Sequence, residues 1–432
     1  MRTKLRDALA PAATSKRNPP VNKGHGLISR RTVLCATLAT VASRHAGPAW
    51  ATSVYGPGVT DSQIKLGTTA YYSGPASTAA AYGLAQVAYF QMVNDRGGIN
   101  GRKVNLISLD NAFSPAKAVE QTRKLVESDE VFAIAGSLGT TTNAAIQRYL
   151  NNKAVPNLFL TSGAERFNDP KNFPWIVPFF PIYVAQGALF GRYILREWPG
   201  AKIAIQYEND DLGRDYVRGL RHGLGERASQ MIVKEMSHEL SEPSIESQII
   251  EAKSSNADVM VQFTQSKFAA QGIRAVAALN WHPHHFLAVN AASIATTFLP
   301  AGLEASKGVI TARWERNPID PTQLEHPAVK EFTAFAAKYM PNLDLSNSSA
   351  VLGYNNAYMI EHVLERCGDA LTRENLLKQA TTLTDIRPPM FIDGIGVSNS
   401  PTDYRAVHHL QLSQFDGKVL APLGNPVSID DV

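Results

Sequence analysis

Hydroxyl and glycine residues that follow two predicted strands are the groups in this chain best suited to hold a small molecule. Residues 136–142, with the sequence GSLGTTT, join one strand to a helix that is predicted to begin near Thr141. Backbone amides at the start of a helix, with threonine hydroxyls beside them, bind carboxylates well. Residues 161–166 (TSGAER) end the next strand and would lie beside this turn. The sequence therefore predicts a carboxylate-binding pocket, with plain N-capping by Thr140 as the alternative.

Residue patterns typical of common enzymes are incomplete in this chain. Ser137 stands in the order AGSLG, so glycines do not bracket it as a G-x-S-x-G nucleophile elbow requires. The glycine-rich run 97–101 follows a predicted helix instead of opening one, which argues against a dinucleotide-binding turn and favours a helix C-cap. The sequence also contains no P-loop.

Two polar clusters could bind a metal or transfer protons, but simpler roles are favoured. His282, His284 and His285 would need another ligand from elsewhere in the fold, and Pro283 between them predicts a solvated loop. Residues 209–211 (NDD) could supply acid and base carboxylates, yet acidic residues at a strand-to-helix turn usually cap the helix. We therefore expect no metal, no cofactor and no catalysis. An α/β amidase or hydrolase is the enzyme alternative.

The composition and the distribution of charge restrict the class of protein further. The chain has 432 residues, of which 44% are hydrophobic and 19% charged, which excludes a disordered or collagen-like protein. Residues 1–51 carry nine Lys or Arg and one acid, a net charge of +8, so the total of +4 leaves −4 on residues 52–432. A mildly acidic body argues against nucleic acid as a partner.

The basic N-terminal segment has the order of an export signal. Arg30 and Arg31 precede an uncharged stretch, 32–42, and the sequence AWA at 49–51 suits a signal peptidase. Residues 29–34 (SRRTVL) resemble the twin-arginine export motif. We predict a signal peptide over 1–51 that is cleaved near Ala51; an ordinary secretory signal or a basic tail is the alternative. Cleavage would leave Cys367 as the sole thiol.

From residue 60 onward, short apolar runs alternate with amphipathic stretches. Such alternation predicts parallel sheets with helices on both faces. A proline- and aromatic-rich segment, 173–184, interrupts the rhythm and predicts two α/β lobes. The predicted strands are 64–70, 103–110, 131–137, 156–162, 202–207, 231–235, 259–264, 285–290 and 308–314, with a terminal hairpin at 410–415 and 418–421. The predicted helices are 114–129, 183–198, 212–227, 245–254, 267–279, 326–340, 348–366 and 373–382.

Several segments in this order resemble one protein family. The matching segments are 67–70 (GTTA) with 73–75 (SGP), 94–103 (NDRGGINGRK), 109–110, 136–142, 209–213 (NDDLG) and 306–308 (SKG). Over nearly the whole chain after the leader, the sequence resembles the periplasmic solute-binding proteins of ABC transporters, of the leucine/isoleucine/valine-binding type.

The resemblance implies a fold and a role. The fold would be the type I periplasmic binding protein fold, a Venus-flytrap architecture of two doubly wound α/β lobes joined by three crossovers. Lobe I would comprise 52–182 with 315–388, and lobe II 183–314 with 389–432. The protein would be a periplasmic monomer that closes on a small-molecule ligand and presents it to an ABC permease in the inner membrane. A periplasmic sensor for a membrane receptor is the alternative.

The resemblance also implies a ligand site. Thr140, Thr141, Gly163 and Ala164 fall on the family's carboxylate contacts, and Tyr72 and Ser73 follow the first strand. Where the family has a threonine, this chain has Glu165, and where it has the acidic anchor for a ligand ammonium, this chain has Asn290. Two aromatic positions fall on Leu212 and Gln265. Tyr71, Tyr72 and Tyr82 could add stacking surface.

The departures at Glu165 and Asn290 bear on which ligand is bound. A neutral Asn290 cannot form the charge-assisted hydrogen bond, worth about 1.5 to 3 kcal/mol, that a carboxylate gives an ammonium group. Either Glu165 takes over that role or the ligand has no ammonium. A branched-chain or other amino acid, an amide and an aromatic acid therefore remain alternatives.

Overall fold

The computed structural model describes residues 55–431. The strands, numbered in chain order, are β1 Gln63–Ala70, β2 Lys103–Asp110, β3 Ala133–Ala135, β4 Asn157–Leu160, β5 Ile176–Pro178, β6 Ile203–Glu208, β7 Ile232–His238, β8 Val259–Phe263, β9 His284–Leu287, β10 Ile310–Arg313, β11 His409–Phe415, β12 Leu420–Pro422 and β13 Val427–Ser428. The predicted export signal lies outside the described residues.

Helices of very different length connect these strands. In chain order they are α1 Ala81–Asp95, α2 Pro115–Arg123, α3 Thr140–Asn152, α4 Tyr183–Glu197, α5 Asp211–Leu224, α6 Ala228–Met231, α7 Glu246–Ser254, α8 Ser266–Ala278, α9 Leu299–Ala301, α10 Leu303–Ser306, α11 Pro327–Tyr339, α12 Ser348–Cys367 and α13 Arg373–Ala380. Within residues 55–431, none of these helices is long and apolar enough to cross a bilayer.

The strands form two sheets. The first is all parallel with the order β2-β1-β3-β4-β5, and the second has the order β12-β11-β10-β9-β8-β6-β7, with β13 paired to β11. Strands β3 and β8 are buried along their whole length, as expected for parallel strands covered on both faces. Only β11, β12 and β13 run antiparallel to their neighbours.

The chain passes between the two sheets three times. It leaves the first sheet after β5, leaves the second after β10, and returns to the second at β11 after α11, α12 and α13. Asn356 of α12 ties this helical segment to the first sheet, because its amide donates to the Phe159 carbonyl at 2.8 Å and accepts from Gln86 at 2.9 Å. The three crossovers are those expected from the sequence. The lobe boundaries 52–182 with 315–388 and 183–314 with 389–432 stay a prediction.

Helices α4 and α5 pack unusually closely. Glycines on α4 and α5 let the backbones touch: a Cβ at Gly219 would lie 2.0 Å from the Val184 carbonyl oxygen, and one at Gly187 would lie 2.3 Å from that of Tyr216. The absence of side chains at these points allows α4 and α5 to approach. This close contact fixes the relative positions of Tyr183 and Tyr216, whose rings stack with centroids 5.0 Å apart.

Several element boundaries differ from the sequence prediction. The predicted helix 114–129 is α2 followed by a π-helical turn at Lys124–Ser128, in which the Asp129 amide reaches the Lys124 carbonyl at 2.9 Å. The predicted strand 285–290 ends at Leu287, and a short 3-10 turn, Val289–Ala291, follows. Strand β5 was not predicted, because it has only three residues within the proline- and aromatic-rich segment.

Candidate functional site

A cavity of about 160 Å³ is lined by residues from both sheets. The first sheet contributes residues that follow β1, β3 and β4, and the second contributes residues that follow β6, β8, β9 and β10. Ligands of open α/β sheets bind outside the carboxyl ends of the strands, which is where this cavity lies. Of the ten residues predicted for the ligand site, the four that line it are Thr140, Leu212, Gln265 and Asn290.

The start of α3 forms one end of the cavity. Gly139 occupies the N-cap position with φ +108° and provides no side-chain cap, so the capping role considered for Thr140 is wrong. A Cβ at Gly139 would lie 1.5 Å from the Tyr71 hydroxyl, which explains why glycine is needed here. A helix start without a side-chain cap leaves backbone N–H groups available to an anion.

The Thr140 side chain is buried among other hydroxyl groups. Its Oγ1 lies 2.8 Å from the Ser162 hydroxyl and 3.3 Å from the Tyr183 hydroxyl. Burial raises the pKa of Tyr183 to about 12, so this phenol is neutral and can donate a hydrogen bond at physiological pH. The cluster offers several neutral donors beside the helix start, a combination suited to a carboxylate.

Aromatic side chains form much of the remaining wall. Tyr183 stacks on Tyr216, and Tyr216 stacks on Phe263 with ring centroids 4.6 Å apart. Tyr71 and Tyr82, two of the three tyrosines considered for stacking, line the cavity. Tyr71, Tyr82 and Tyr183 give the cavity rigid apolar surface that would cover the non-polar part of a ligand, while Tyr216 and Phe263 support Tyr183 from outside the wall.

Asn290 presents an acceptor from the second sheet. Its Nδ2 donates to the Thr264 carbonyl at 3.1 Å, while its Oδ1 is buried and has no hydrogen-bond partner. A buried carbonyl oxygen without a partner costs about 1 to 3 kcal/mol, which a ligand donor would recover. Leu212, in the first turn of α5, and Gln265, just before α8, are its neighbours in the wall.

The other predicted site residues lie outside the wall of the cavity. Tyr72 and Ser73 are held at the end of β2, where the Tyr72 hydroxyl is 2.5 Å from the Ser108 hydroxyl and Ser73 donates to Asp110. The Thr141 hydroxyl is buried without a partner. Gly163 packs closely against the Tyr183 ring and the Pro181 carbonyl, and Ala164 is buried beside it.

Glu165 faces α5 instead of the cavity. Its carboxylate forms an ion pair with Arg218, and its backbone amide donates to Asp215 at 2.8 Å. Arg166 next to it pairs with Asp211 at 2.9 Å. This placement does not support an ammonium contact by Glu165, because the carboxylate already has a cationic partner on the surface.

We expect Glu165→Gln to change ligand affinity by less than about twofold, because exposed ion pairs contribute roughly 0 to 1 kcal/mol. Isothermal titration calorimetry of the original chain and the variant, with one carboxylate ligand for both, would measure the change in affinity. A loss of tenfold or more would return Glu165 to the ligand site.

Asp210 and the histidine cluster have structural roles. Asp210 is the N-cap of α5 and accepts from the Gly213 amide at 3.2 Å, as the sequence predicted. Burial raises the pKa of Asp210 to about 6. His284 stacks on Trp198 and His285 contacts Gln262 at 2.9 Å. Within residues 55–431, no group of His, Cys, Asp and Glu side chains could hold a metal ion.

Residues at the end of β10 and directly after it also belong to the site, although they were not predicted as site residues. Residues Arg313, Trp314, Glu315 and Arg316 all line the cavity. Glu315 accepts a hydrogen bond from Asn355 at 2.8 Å, and burial raises the pKa of its carboxyl to about 8. The run RWER directly after an apolar strand was the available signal, since two arginines and a tryptophan rarely follow a buried strand without a binding or packing reason.

Comparison with known proteins agrees with this architecture. The family described as periplasmic binding protein matches residues 63–418. An amino acid binding protein of Pseudomonas aeruginosa is 25% identical over 150 residues, which is 34% of this chain and 38% of that protein. This aligned stretch therefore covers well under half of that relative.

Two solved structures share the fold over nearly the whole described chain. A branched-chain amino acid ABC transporter protein from Thermus thermophilus, with bound valine, superposes with a TM-score of 0.76 at 18% identity, covering 86% of this chain and 97% of that one. A solute-binding protein of an R. palustris ABC transporter, in complex with benzoate, superposes with a TM-score of 0.70 at 18% identity, covering 86% and 99%.

These matches confirm the predicted fold class of two doubly wound α/β halves. The family pattern spans more than three quarters of the sequence, including the first sheet, the second sheet up to β11 and all three crossovers. The chain belongs to the periplasmic binding protein family and has the type I fold of that family.

Proposed function

We propose that this chain is an extracytoplasmic solute-binding protein. It would capture a small molecule that bears a carboxylate and deliver it to an ABC permease in the inner membrane. The ligand would stabilise the closed arrangement of the two lobes by contacts to both, and the permease would recognise that arrangement. The predicted leader over 1–51 would export the chain to the periplasm.

The single observation that carries this proposal is the composition of the cavity wall. Thr140 at the uncapped start of α3 comes from the first sheet, whereas Leu212, Gln265 and Asn290 come from the second. A ligand in this cavity would therefore touch both halves of the molecule. Such a ligand can favour a closed state because it has more contacts there than in an open one.

The wall favours an acid without an ammonium group over a simple amino acid. Among the residues that line the cavity, the one carboxyl is Glu315, and burial raises its pKa to about 8, so it is largely neutral at pH 7. The Asn290 oxygen can accept a hydrogen bond but carries no charge. Amino acids, amides and aromatic acids are the classes to compare. The valine- and benzoate-bound relatives show that related folds hold either kind of ligand.

A thermal-shift screen of the purified chain against these three classes would identify the class of ligand. A ligand present at 100 times its dissociation constant stabilises the folded state by about 2.7 kcal/mol. We expect at least one acid to raise the melting temperature. The proposal fails if the chain is folded and none of the three classes raises it.

We expect Thr140→Ala to weaken binding of that acid by about 1 to 3 kcal/mol, because the change removes a hydroxyl donor beside the carboxylate. Calorimetric titration would give the dissociation constants. Thr122→Ala is the matched control, since Thr122 is also buried but lies on α2, outside the cavity wall. An unchanged dissociation constant for Thr140→Ala would remove Thr140 from the site.

A further inference from the structure

The far end of the cavity, at β10, differs in chemistry from the Thr140 end. The wall runs along the second sheet from Leu212, after β6, to Arg313, on β10. In the order β6-β8-β9-β10 these strands are separated by three spacings, or roughly 14 Å. Thr140 lies at the β6 end, because its partner Tyr183 stacks on Tyr216 of α5. The two ends present different groups to a ligand, and the rings of Tyr183, Phe180 and Trp314 lie between them, with successive centroids 5.9 and 4.7 Å apart.

Arg313 brings an uncompensated positive charge to the far end. Its Nε donates to the Ser413 hydroxyl at 3.1 Å, and its guanidinium forms none of the salt bridges found among residues 55–431. Burial lowers the pKa of Arg313; the negative charge of Asp320 opposes this effect, and the positive charge of Arg316 adds to it. A guanidinium still holds its proton under these conditions, so it remains a partly buried cation.

Two further donors beside Arg313 lack partners. Trp314 Nε1 and Arg316 Nε are buried and have no hydrogen-bond acceptor, although both residues line the cavity and are 4% and 6% exposed. The remaining guanidinium nitrogens of Arg316 are held by Gln323 at 2.6 Å and Asp393 at 2.5 Å. Buried donors without acceptors are rare in folded proteins, and here they are found together.

The opposite wall adds donors from α12, the helix that Asn356 ties to the first sheet. Ser348 and Ser349 line the cavity at the first turn of α12, which is 20 residues long and has Asn347 as its N-cap. The start of a long helix favours negative charge. The nearby carboxyl, that of Glu315, is largely protonated at pH 7 and so can also donate. Each of these groups favours a ligand atom that accepts a hydrogen bond. The positively charged side chains, Arg313 and Arg316, also favour an anion.

We propose that this end of the cavity binds a second anionic group of the ligand through Arg313, Trp314 and the start of α12. The ligand is then an acid with one carboxylate at Thr140 and a second acidic group at the β10 end of the cavity. The inference rests on the proposed function and specifies its ligand class. Linear and aromatic dicarboxylates are the simplest molecules with this chemistry.

The test compares dicarboxylates with monocarboxylates of the same skeleton by calorimetry. Adipate, suberate, sebacate and terephthalate are paired with hexanoate, octanoate, decanoate and 4-methylbenzoate. We expect at least one dicarboxylate to bind more tightly than its partner. Arg313→Gln should weaken the binding of that dicarboxylate by about 10- to 100-fold and leave the binding of the matching monocarboxylate unchanged. Arg274→Gln, the same charge change at an exposed position on α8, should change neither.

A measurement without ligand separates binding from a structural role. Because Arg313 is a partly buried cation that forms no salt bridge among residues 55–431, Arg313→Gln should keep or raise the melting temperature of the free chain. A fall in that temperature would indicate that Arg313 serves folding.

Other results would overturn the proposal in distinguishable ways. Equal weakening of both acids by Arg313→Gln would show a single carboxylate site, and no weakening of the dicarboxylate would show that Arg313 makes no contact. If Thr140→Ala still weakens the acids in either case, the proposed function survives and only the second anionic group is lost. If no acid of either series binds, both proposals fail.

Discussion

Glu315→Gln is expected to make the chain more stable at pH 8 than the original by on the order of 4 kcal/mol. The carboxyl of Glu315 lies at the cavity wall with Asn355 as its hydrogen-bond donor. Burial raises its pKa from 4.5 to about 8, and each pH unit corresponds to about 1.4 kcal/mol. A neutral glutamine keeps an oxygen for Asn355 and has no charge to bury.

The sign of the pH dependence follows from the direction of this change. Because the pKa of Glu315 is higher in the folded than in the unfolded chain, its contribution to stability is complete below pH 4.5 and is lost as the pH rises to about 8. The variant lacks this loss. The difference in unfolding free energy between the two proteins should therefore grow across that window.

Urea unfolding of both proteins at pH 5, 6.5 and 8 would measure this difference. The other carboxyls with raised pKa are the same in both proteins and cancel; they are Glu208, Asp210, Asp215 and Glu361. Glu226→Gln provides the matched control, since Glu226 is exposed. If the unfolding free energies of the Glu315 variant and the original chain changed with pH in parallel, this result would contradict a raised pKa at Glu315.

Gly219→Ala is expected to destabilise the chain by about 1 to 3 kcal/mol, the range typical of forcing extra atoms into a packed interface. The new Cβ would lie 2.0 Å from the Val184 carbonyl oxygen, so α4 and α5 would have to separate. Helix propensity acts in the opposite direction, because alanine is about 1 kcal/mol better than glycine within a helix. A net loss of stability would therefore come from the contact between the new Cβ and the Val184 carbonyl alone.

The separation of α4 and α5 should also affect the ligand. Tyr183 begins α4 and Tyr216 lies on α5, so a displaced helix pair would disturb the stacked wall beside Thr140. Urea unfolding would measure the loss of stability, and calorimetry with the acid that stabilises the chain would measure the change in ligand affinity. Gly200→Ala is the control, since a Cβ there meets nothing within 4 Å. Equal stability of the Gly219 variant and the original would show that the helices are not in backbone contact.

Local patterns predicted the parts of the fold that depend on local interactions. Strand β2 occupies the predicted 103–110, and Ser114 and Pro115 mark the start of α2 as expected. Thr140 was found because a helix start after a strand is visible in the sequence. The three-residue strand β5 was not found, since its pairing depends on β4 and not on its own composition.

The site was only partly predictable because its contacts join distant parts of the chain. Glu165 was assigned to the ligand by its position in the motif, whereas its partner Arg218 lies 53 residues further on. Arg313 and Trp314 were placed at the end of the predicted strand 308–314 and given no role in the site. Their importance depends on which donors lack partners, and that is a property of the folded chain.

The central claim is that one small acid is held unchanged in the cavity between the ends of the two sheets. A crystal structure of the chain with the acid that stabilises it most would test this claim directly. The account predicts that the ligand lies against Tyr183 with a carboxylate within hydrogen-bond distance of Thr140. A ligand bound elsewhere on the molecule, or one converted to a product in the cavity, would contradict it.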